Sequence, residues 1–352
     1  MSKTIVLTGG GSGGHVVPNL ALIPKLQEKG YEVHYIGTED GIERELVAGI
    51  PYHCIRAGKL RRYASSKNVS DVFKTFRGIS DAKKILKELK PSAVFCKGGF
   101  VSVPVAFAAH SLKIPVVLHE SDYTPGLANK MCAPKCNKIC LSFDVDKERY
   151  GDKAVVTGSP IRDELMQGSK EKGLEFLGFD GKKPVLMVMG GSLGAGALND
   201  AVDSAIDELT KRFDIVHLRG KGHLNGDLDS KAGYRQFEYL SAEIPDLFAA
   251  SDLIFSRAGA NAVFEFLALK KPALLVPLPL SQSRGDQILN AKYFKKNGYS
   301  EVLNEEDMTD ETLLKSLDSL WADKDRYIEA MSNAPAAAGT QNVLDVILSM
   351  AE

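Results

Sequence analysis

This sequence predicts two doubly wound α/β domains, each built on a parallel sheet, and three observations carry that prediction. The chain has 352 residues, more than one compact hydrophobic core usually holds. Apolar runs of strand length alternate with amphipathic runs of helix length along its course, the pattern of βαβ units. The opening theme of strand, glycine loop and helix also returns about 180 residues later, which suggests two similar halves facing each other across a cleft that holds the ligand.

In the first half, Thr4 to Thr8 reads as a strand, Gly9 to His15 as a loop, and Pro18 to Lys29 as a helix. The helix carries apolar residues at Leu20, Leu22, Ile23 and Leu26 and stops at Gly30. Backbone amides without side chains can approach a phosphate closely. Gly9, Gly11 and Gly14 satisfy the dinucleotide-binding spacing, with Glu39 or Asp40 near the end of a second strand, Glu32 to Gly37. Glycine runs meet many spacings, so a nicotinamide-dependent dehydrogenase and a sugar-phosphate binder both stay open. His15 places a titratable group over the loop, or simply packs at a helix start.

A short strand at Tyr52 to Arg56 precedes a basic segment, 59–90, with ten basic residues against three acidic. Val69, Val72, Phe73, Phe76 and Ile79 fall at helical spacing within it. Such a surface can rest on an anionic membrane, or the apolar face can turn to the core with the charges solvated. Ala93 to Lys97 is the next strand, followed by Gly98-Gly99 and a helix. Pro115 to Glu120 is another, ending in Ser121, Asp122 and Gly126. Three strands thus end in turn-rich polar loops at one carboxyl edge, the usual ligand crevice. Cys132, Cys136 and Cys140 are spaced by four, but Pro134 interrupts any aligning helix and no fourth ligand lies at finger spacing. Asp144-Val145-Asp146 and Asp227-Leu228-Asp229 read as surface or helix-start carboxylates.

After Ala154 to Gly158, the charged, glycine-punctuated stretch 161–183 reads as a linker between a first domain, 1–160, and a second, 184–335. The second domain opens with strand Pro184 to Met189, loop Gly190-Gly191-Ser192 and helix Leu198 to Arg212. Strands follow at Ile215 to Arg219, Arg235 to Leu240, Leu253 to Ser256 and Ala273 to Pro277. At Ser256-Arg257 a strand ends, Gly259 turns the chain, and Asn261 to Leu269 starts a helix whose N-terminus suits a diphosphate. Glu265, on its first turns, can hold ribose hydroxyls. Between Pro277 and the helix Asp286 to Lys296 lies a polar loop that can address sugar hydroxyls. A terminal helix, 336–352, is expected to pack back on the first domain.

Hydrophobic residues at 44% and charged residues at 25% are those of an ordinary globular protein. A net charge of −1 argues against a dedicated nucleic-acid binder. The run before Gly9 is too short for a signal-peptide core, and the best candidate span, Val101 to Leu118, is broken by Pro104, His110, Lys113 and Pro115. Five cysteines without a secretory signal fit a reducing compartment.

Taken together, Gly9 to His15 with Pro18, Gly98 to Ser102, His119-Glu120, Gly126 to Lys130, Gly158 to Arg162, Gly190 to Gly194, Arg257 to Glu265, and Gln287 with Asn290 resemble the bacterial MurG transferase family. Its members move N-acetylglucosamine from UDP-N-acetylglucosamine to undecaprenyl-diphospho-muramoyl-pentapeptide (lipid I), forming lipid II for peptidoglycan. The resemblance implies a GT-B glycosyltransferase, its N-terminal domain taking the acceptor and its C-terminal domain the nucleotide sugar. It implies that Ser12, Gly13 and Gly14 meet ligand phosphates or sugar and that Arg162 and Ser192 meet the UDP diphosphate. Leu240 would hold uracil by its backbone, Ala260, Asn261, Ala262, Val263, Phe264 and Glu265 would form the diphosphate and ribose site, and Gln287 would read the sugar. Where the family often has Asn, this chain has Asp122, which cannot donate a hydrogen bond when ionised. His15 is the candidate general base for the acceptor's C4 hydroxyl and Asp122 the second. The expectation is an inverting transfer with no metal site or cofactor held by the protein, any divalent cation arriving with the substrate. Partners would be UDP-N-acetylglucosamine, lipid I, an anionic membrane at its cytoplasmic face, and other cell-wall or division proteins. A diacylglycerol glucosyltransferase, a UDP-N-acetylglucosamine epimerase and a non-catalytic UDP-sugar binder remain alternatives.

Overall fold

A computed structural model describes residues 3–58, 66–145, 147–191 and 194–352, with side chains in the helix Ser66–Leu89 described from Asp71 onward. The chain divides into two compact units, one formed by Met1–Arg162 with Ala338–Glu352, the other by Asp163–Ala337.

The first unit holds seven strands: β1 (Thr4–Thr8), β2 (Glu32–Gly37), β3 (Tyr52–Cys54), β4 (Ala93–Cys96), β5 (Val116–Glu120), β6 (Lys138–Leu141) and β7 (Ala154–Val156). They form one sheet in the order β3-β2-β1-β4-β5-β6-β7, every pairing parallel. β1, β4 and β5 are buried along their whole length, and their centres, 5–7, 93–96 and 116–118, read as apolar runs. One face buries Val6, Val94, Cys96, Val116 and Leu118 under the helices Ser66–Leu89 and Ser102–Ser111. The other buries Ile5, Leu7, Phe95, Val117 and Cys140 against helix Val17–Glu28 and the terminal helix Gly339–Ala351, whose Val343, Leu344 and Ile347 are fully buried there. Thr340 Oγ1 bonds both the N–H and the carbonyl of Ile161, at 2.8 Å each, and fastens that helix to the end of the unit.

The second unit holds β8 (Val185–Met189), β9 (Asp214–Leu218), β10 (Tyr234–Phe237), β11 (Leu253–Ser256), β12 (Ala273–Leu275) and β13 (Ser300–Val302), all parallel in the order β10-β9-β8-β11-β12-β13.

One expectation needs correction, and one choice left open by the sequence is decided. The stretch 161–183 folds: helix Lys170–Leu177, capped by Ser169 and ended by Gly178 at φ +67°, belongs to the second unit. Its glycines are packing sites, since a Cβ on Gly168 would stand 1.9 Å from the Pro245 carbonyl oxygen and one on Gly173 2.3 Å from that of Asp246. In the basic segment, Phe73 and Phe76 do not face the core. They are 64% and 67% exposed, and the helix packs inward through Thr75, Ala82 and Leu86 instead. Residues 59–65, including Lys59, Arg61 and Arg62, lie outside the described residues, as does the side chain of Val69.

Candidate active site

Strand register brings the first unit's loops together. Thr8 pairs with Cys96 and Cys96 with Leu118, so Gly9 and Lys97 leave the sheet side by side, level with His119 near the end of β5. Three of the glycines after β1 are needed by the packing of the protein itself. A Cβ would stand 2.3 Å from the His15 carbonyl oxygen at Gly9, 2.6 Å from the Glu43 carboxyl at Gly10, and 2.4 Å from the Phe100 ring at Gly11. At Gly13 it would meet nothing within 4 Å. Two glycines of the dinucleotide spacing, Gly9 and Gly11, therefore have packing work of their own, and Gly13 is the point of the loop with open space around it. Glu43, on the short helix Ile42–Leu46, clamps the loop from below. Fully buried, its carboxylate accepts bonds from Gly11 N at 3.2 Å, Thr38 N at 3.0 Å and Thr38 Oγ1 at 2.6 Å.

His15 ends a single 3-10 turn, Gly13–His15, and its N–H donates to the Ser12 carbonyl at 3.1 Å. The ring lies against the second glycine pair, and a Cβ on Gly99 would stand 3.0 Å from its Cδ2. Burial first, and the Lys97 charge second, lower the imidazole to about 4, so it is neutral at pH 7. Its Nδ1 is buried without a hydrogen-bond partner among the described residues. Across the edge, burial raises Glu120 to about 7, and it accepts bonds from Asp122 N at 3.0 Å, Gly126 N at 3.1 Å and Asn129 Nδ2 at 2.8 Å. Asp122 is thus held by its backbone on Glu120, partly buried, in the loop beside Lys97. A cavity of 960 Å³ opens next to this site, lined among others by Gly11, Ser12, Asp40, Arg56, Arg77 and Phe100. Arg162, the last residue of this unit before Asp163, is partly buried with its Nε enclosed.

In the second unit Met189 pairs with Leu218 and with Ser256, which pairs with Leu275. The loops that start at Gly190, Arg219, Arg257 and Val276 are therefore neighbours. Gly191, at φ +90°, is open, while Gly194 packs on Arg219, whose carbonyl oxygen would stand 2.0 Å from an added Cβ. Ser192 lies outside the described residues. Leu240 follows β10 on the same edge, partly buried. Arg257 pairs with Glu305 at 2.5 Å and donates to the Val276 carbonyl at 3.2 Å, so it braces the turn. Asn290 Nδ2 donates to the Ala258 carbonyl at 3.0 Å.

Gln287 uses its carboxamide oxygen on the protein, accepting from Ala258 N at 3.2 Å and Leu278 N at 3.1 Å, which turns its NH2 group into the one a sugar can meet. Helix Ala260–Leu269 starts directly after this braced turn, with no side-chain cap. Val263 and Phe264, named among the ligand residues, send their side chains into the core. The Val263 N–H is also taken by Gly259 O at 3.1 Å, so the helix can meet a ligand through Ala260, Asn261 and Ala262 and through the half-buried Glu265.

Sequence reasoning missed Glu43, Lys97, Glu305 and the tie through Asn129. Only Lys97, a charged residue directly after an apolar strand, left a signal. Among the described residues no three His, Cys, Asp or Glu are placed to hold a metal. Cys132, Cys136 and Cys140 are core residues, and burial pushes the Cys136 and Cys140 thiols up to about 12. Asp144 is exposed, Asp146 lies outside the described residues, and Asp229 accepts a bond from Gln236 at 2.7 Å.

Comparison with known proteins finds two family models along the chain. Residues 5–141 match the glycosyltransferase family 28 N-terminal domain and residues 185–347 the glycosyltransferase family 28 C-terminal domain. A protein of Clostridium tetani (strain Massachusetts / E88), named as a UDP-N-acetylglucosamine–N-acetylmuramyl-(pentapeptide) pyrophosphoryl-undecaprenol N-acetylglucosamine transferase, is 53% identical over 99% of this chain and 98% of its own length. One of the same name from Clostridium botulinum (strain Alaska E43 / Type E3) is 54% identical over 98% and 97%. The crystal structure of Acinetobacter baumannii MurG superposes with a TM-score of 0.78 at 27% identity, covering 98% of this chain and 99% of that one. With both domains present in order and identity above one half along its length, the chain belongs to glycosyltransferase family 28, in the MurG family of GT-B enzymes.

Proposed function

We propose that this enzyme transfers N-acetylglucosamine from UDP-N-acetylglucosamine to the C4 hydroxyl of the muramoyl residue of lipid I, with inversion. The observation that carries this reading is the full-length identity to relatives named for that transfer, joined to two carboxyl edges furnished with the groups such a reaction needs.

The second unit takes the donor. The N-terminus of helix Ala260–Leu269 and the Gly190–Gly191 loop receive the diphosphate, Glu265 the ribose, the Leu240 backbone the uracil, and the Gln287 NH2 group the sugar. The first unit takes the acceptor at Ser12-Gly13-Gly14 and the adjoining cavity. The acceptor oxygen attacks the anomeric carbon as the bond to the diphosphate breaks, and UDP leaves with the bonding pair. Fixed amides stabilise that departing charge. The hydroxyl proton passes to His15. Its lowered pKa keeps the ring neutral at pH 7 but makes it a weak base, and Asp122 is the second candidate for the same proton.

Phe73 and Phe76, exposed among Lys74, Arg77, Lys84 and Lys87, rest on an anionic membrane at the cytoplasmic face, where lipid I presents its head group. No described helix is long and apolar enough to cross a membrane.

The test is transfer of labelled N-acetylglucosamine from UDP-N-acetylglucosamine to a short-chain lipid I analogue. Product that forms only with both substrates, and turnover lowered about 100-fold by His15→Ala with UDP affinity unchanged, is expected. Release of UDP without a disaccharide product sinks the reading; full turnover in His15→Ala moves the proton to Asp122.

A further inference from the structure

We propose that Lys97 is a positioning residue for this transfer, an ammonium enclosed in the first unit that balances the carboxylates of Glu120 and Asp122, anchors the loop after β5 through Ser121, and sets the charge felt by the His15 ring. The side chain is 1% exposed, at the junction between β4 and Gly98-Gly99. The Lys97 backbone N–H donates to the Thr8 carbonyl at 2.8 Å, and Gly9 is packed so tightly on the residue that an added Cβ would stand 3.1 Å from the Lys97 Cβ. The Nζ atom donates to Ser121 Oγ.

A lysine so enclosed is tolerated only with countercharge close by. The charged groups that act on it are Glu120 and Asp122, from β5 and its loop, and both favour its protonated form, although burial brings it down to about 8. Its own charge opposes protonation of His15 on the 3-10 turn and of His119 on β5. Asn129, from the helix Leu127–Cys132, brings a neutral amide to the same place.

This arrangement accounts for Asp122 standing where the family resemblance leads one to expect Asn. A carboxylate added at that point is offset by a buried cation, so the two residues form a coupled pair rather than independent choices. Lys97 is enclosed behind the glycines and acts through its neighbours, without touching the substrate.

The proposal rests on His15 serving the transfer, but its first readout does not. In the intact chain, the His15 titration is followed by NMR in the wild type, Lys97→Met and Lys97→Arg. Lys97→Met should raise the His15 midpoint by about one pH unit, and the acid limb of kcat/KM should move with it. Lys97→Arg should restore both. Combined with Asp122→Asn, Lys97→Met should cost at least about fivefold less activity than the product of the single effects. A shifted midpoint with an unshifted acid limb would keep the Lys97–His15 coupling and overturn its part in the transfer. An unchanged midpoint together with single effects that multiply overturns the whole proposal. Should Lys97→Met fail to fold, the 13Cε resonance of Lys97 in Asp122→Asn answers instead. Its midpoint should fall below that of the wild type, and an unmoved one overturns the pairing.

Discussion

Glu43→Ala should release the loop that the substrate is proposed to touch, although Glu43 itself is enclosed and touches no ligand. The carboxylate holds two backbone donors and one hydroxyl, at 3.2, 3.0 and 2.6 Å. Bonds to a charged acceptor each contribute about 1.5–3 kcal/mol net. The Thr38 hydroxyl can rotate to another partner, whereas Gly11 N and Thr38 N are fixed. Losing both, with a hole left between Gly10, Gly37 and Gly41, should cost the first unit about 3–5 kcal/mol. Glu43→Gln keeps one oxygen but turns an NH2 group toward one of the donors, so about half that loss is expected. The assay is urea unfolding with separate probes for the two units, because a chain of two units need not unfold in one step. Transfer kinetics with varied acceptor and UDP calorimetry complete it. The first unit's transition should move to lower urea and the acceptor KM should rise, with UDP affinity unchanged. A loss below about 1 kcal/mol with normal acceptor kinetics would refute the reasoning.

Further outcomes separate ligand contact from scaffolding. Gly13→Ala, whose added methyl meets no protein atom within 4 Å, should keep or slightly raise the melting temperature yet lower kcat/KM at least tenfold; normal activity would show that no ligand comes close there. Gln287→Glu retains an oxygen for Ala258 N and Leu278 N but loses the NH2 donor, so calorimetry should show UDP-N-acetylglucosamine binding weakened far more than UDP binding, with an unchanged circular dichroism spectrum. His217 is buried between Asn199 and Tyr234, and burial lowers it from 6.5 to about 3. The unfolded chain therefore takes up the proton first on acidification. The contribution is complete above pH 6.5 and falls away toward pH 3, so the stability difference between wild type and His217→Gln should shrink by about 2 kcal/mol from pH 7 to pH 5. Glu120 works in the opposite sense, more stabilising in its protonated form below about 7, which is why the comparison with the variant is needed. Phe73→Ser with Phe76→Ser should abolish sedimentation with vesicles containing anionic lipid while leaving transfer to a soluble acceptor analogue intact.

Much of the fold is legible along the chain because parallel strands buried on both faces carry short apolar runs, as residues 5–7 of β1, 116–118 of β5, all of β8 and 253–255 of β11 do. β13 was not, since Ser300-Glu301-Val302 is an edge strand with no apolar run. The helix Lys170–Leu177 escaped because Gly168 and Gly173 look the same in sequence whether they loosen a linker or let two helices touch.

The sequence by itself determined that there are two α/β halves, that glycine loops and helix starts follow the strands, and which of those loops bear polar groups. These are local matters of period and turn chemistry. Only the tertiary structure decided what each polar group is for. Parallel pairing sets the strand ends level, so residues as distant as Gly11 and Glu43, or Lys97 and Ser121, become neighbours. The Phe73–Phe76 face shows the same dependence. Its helical period fixed that one side is apolar, but whether that side turned inward depended on Ala82 and Leu86 already filling the contact with the core. A helix can bury only the stripe its neighbours have room for, and that room is a property of the packed molecule.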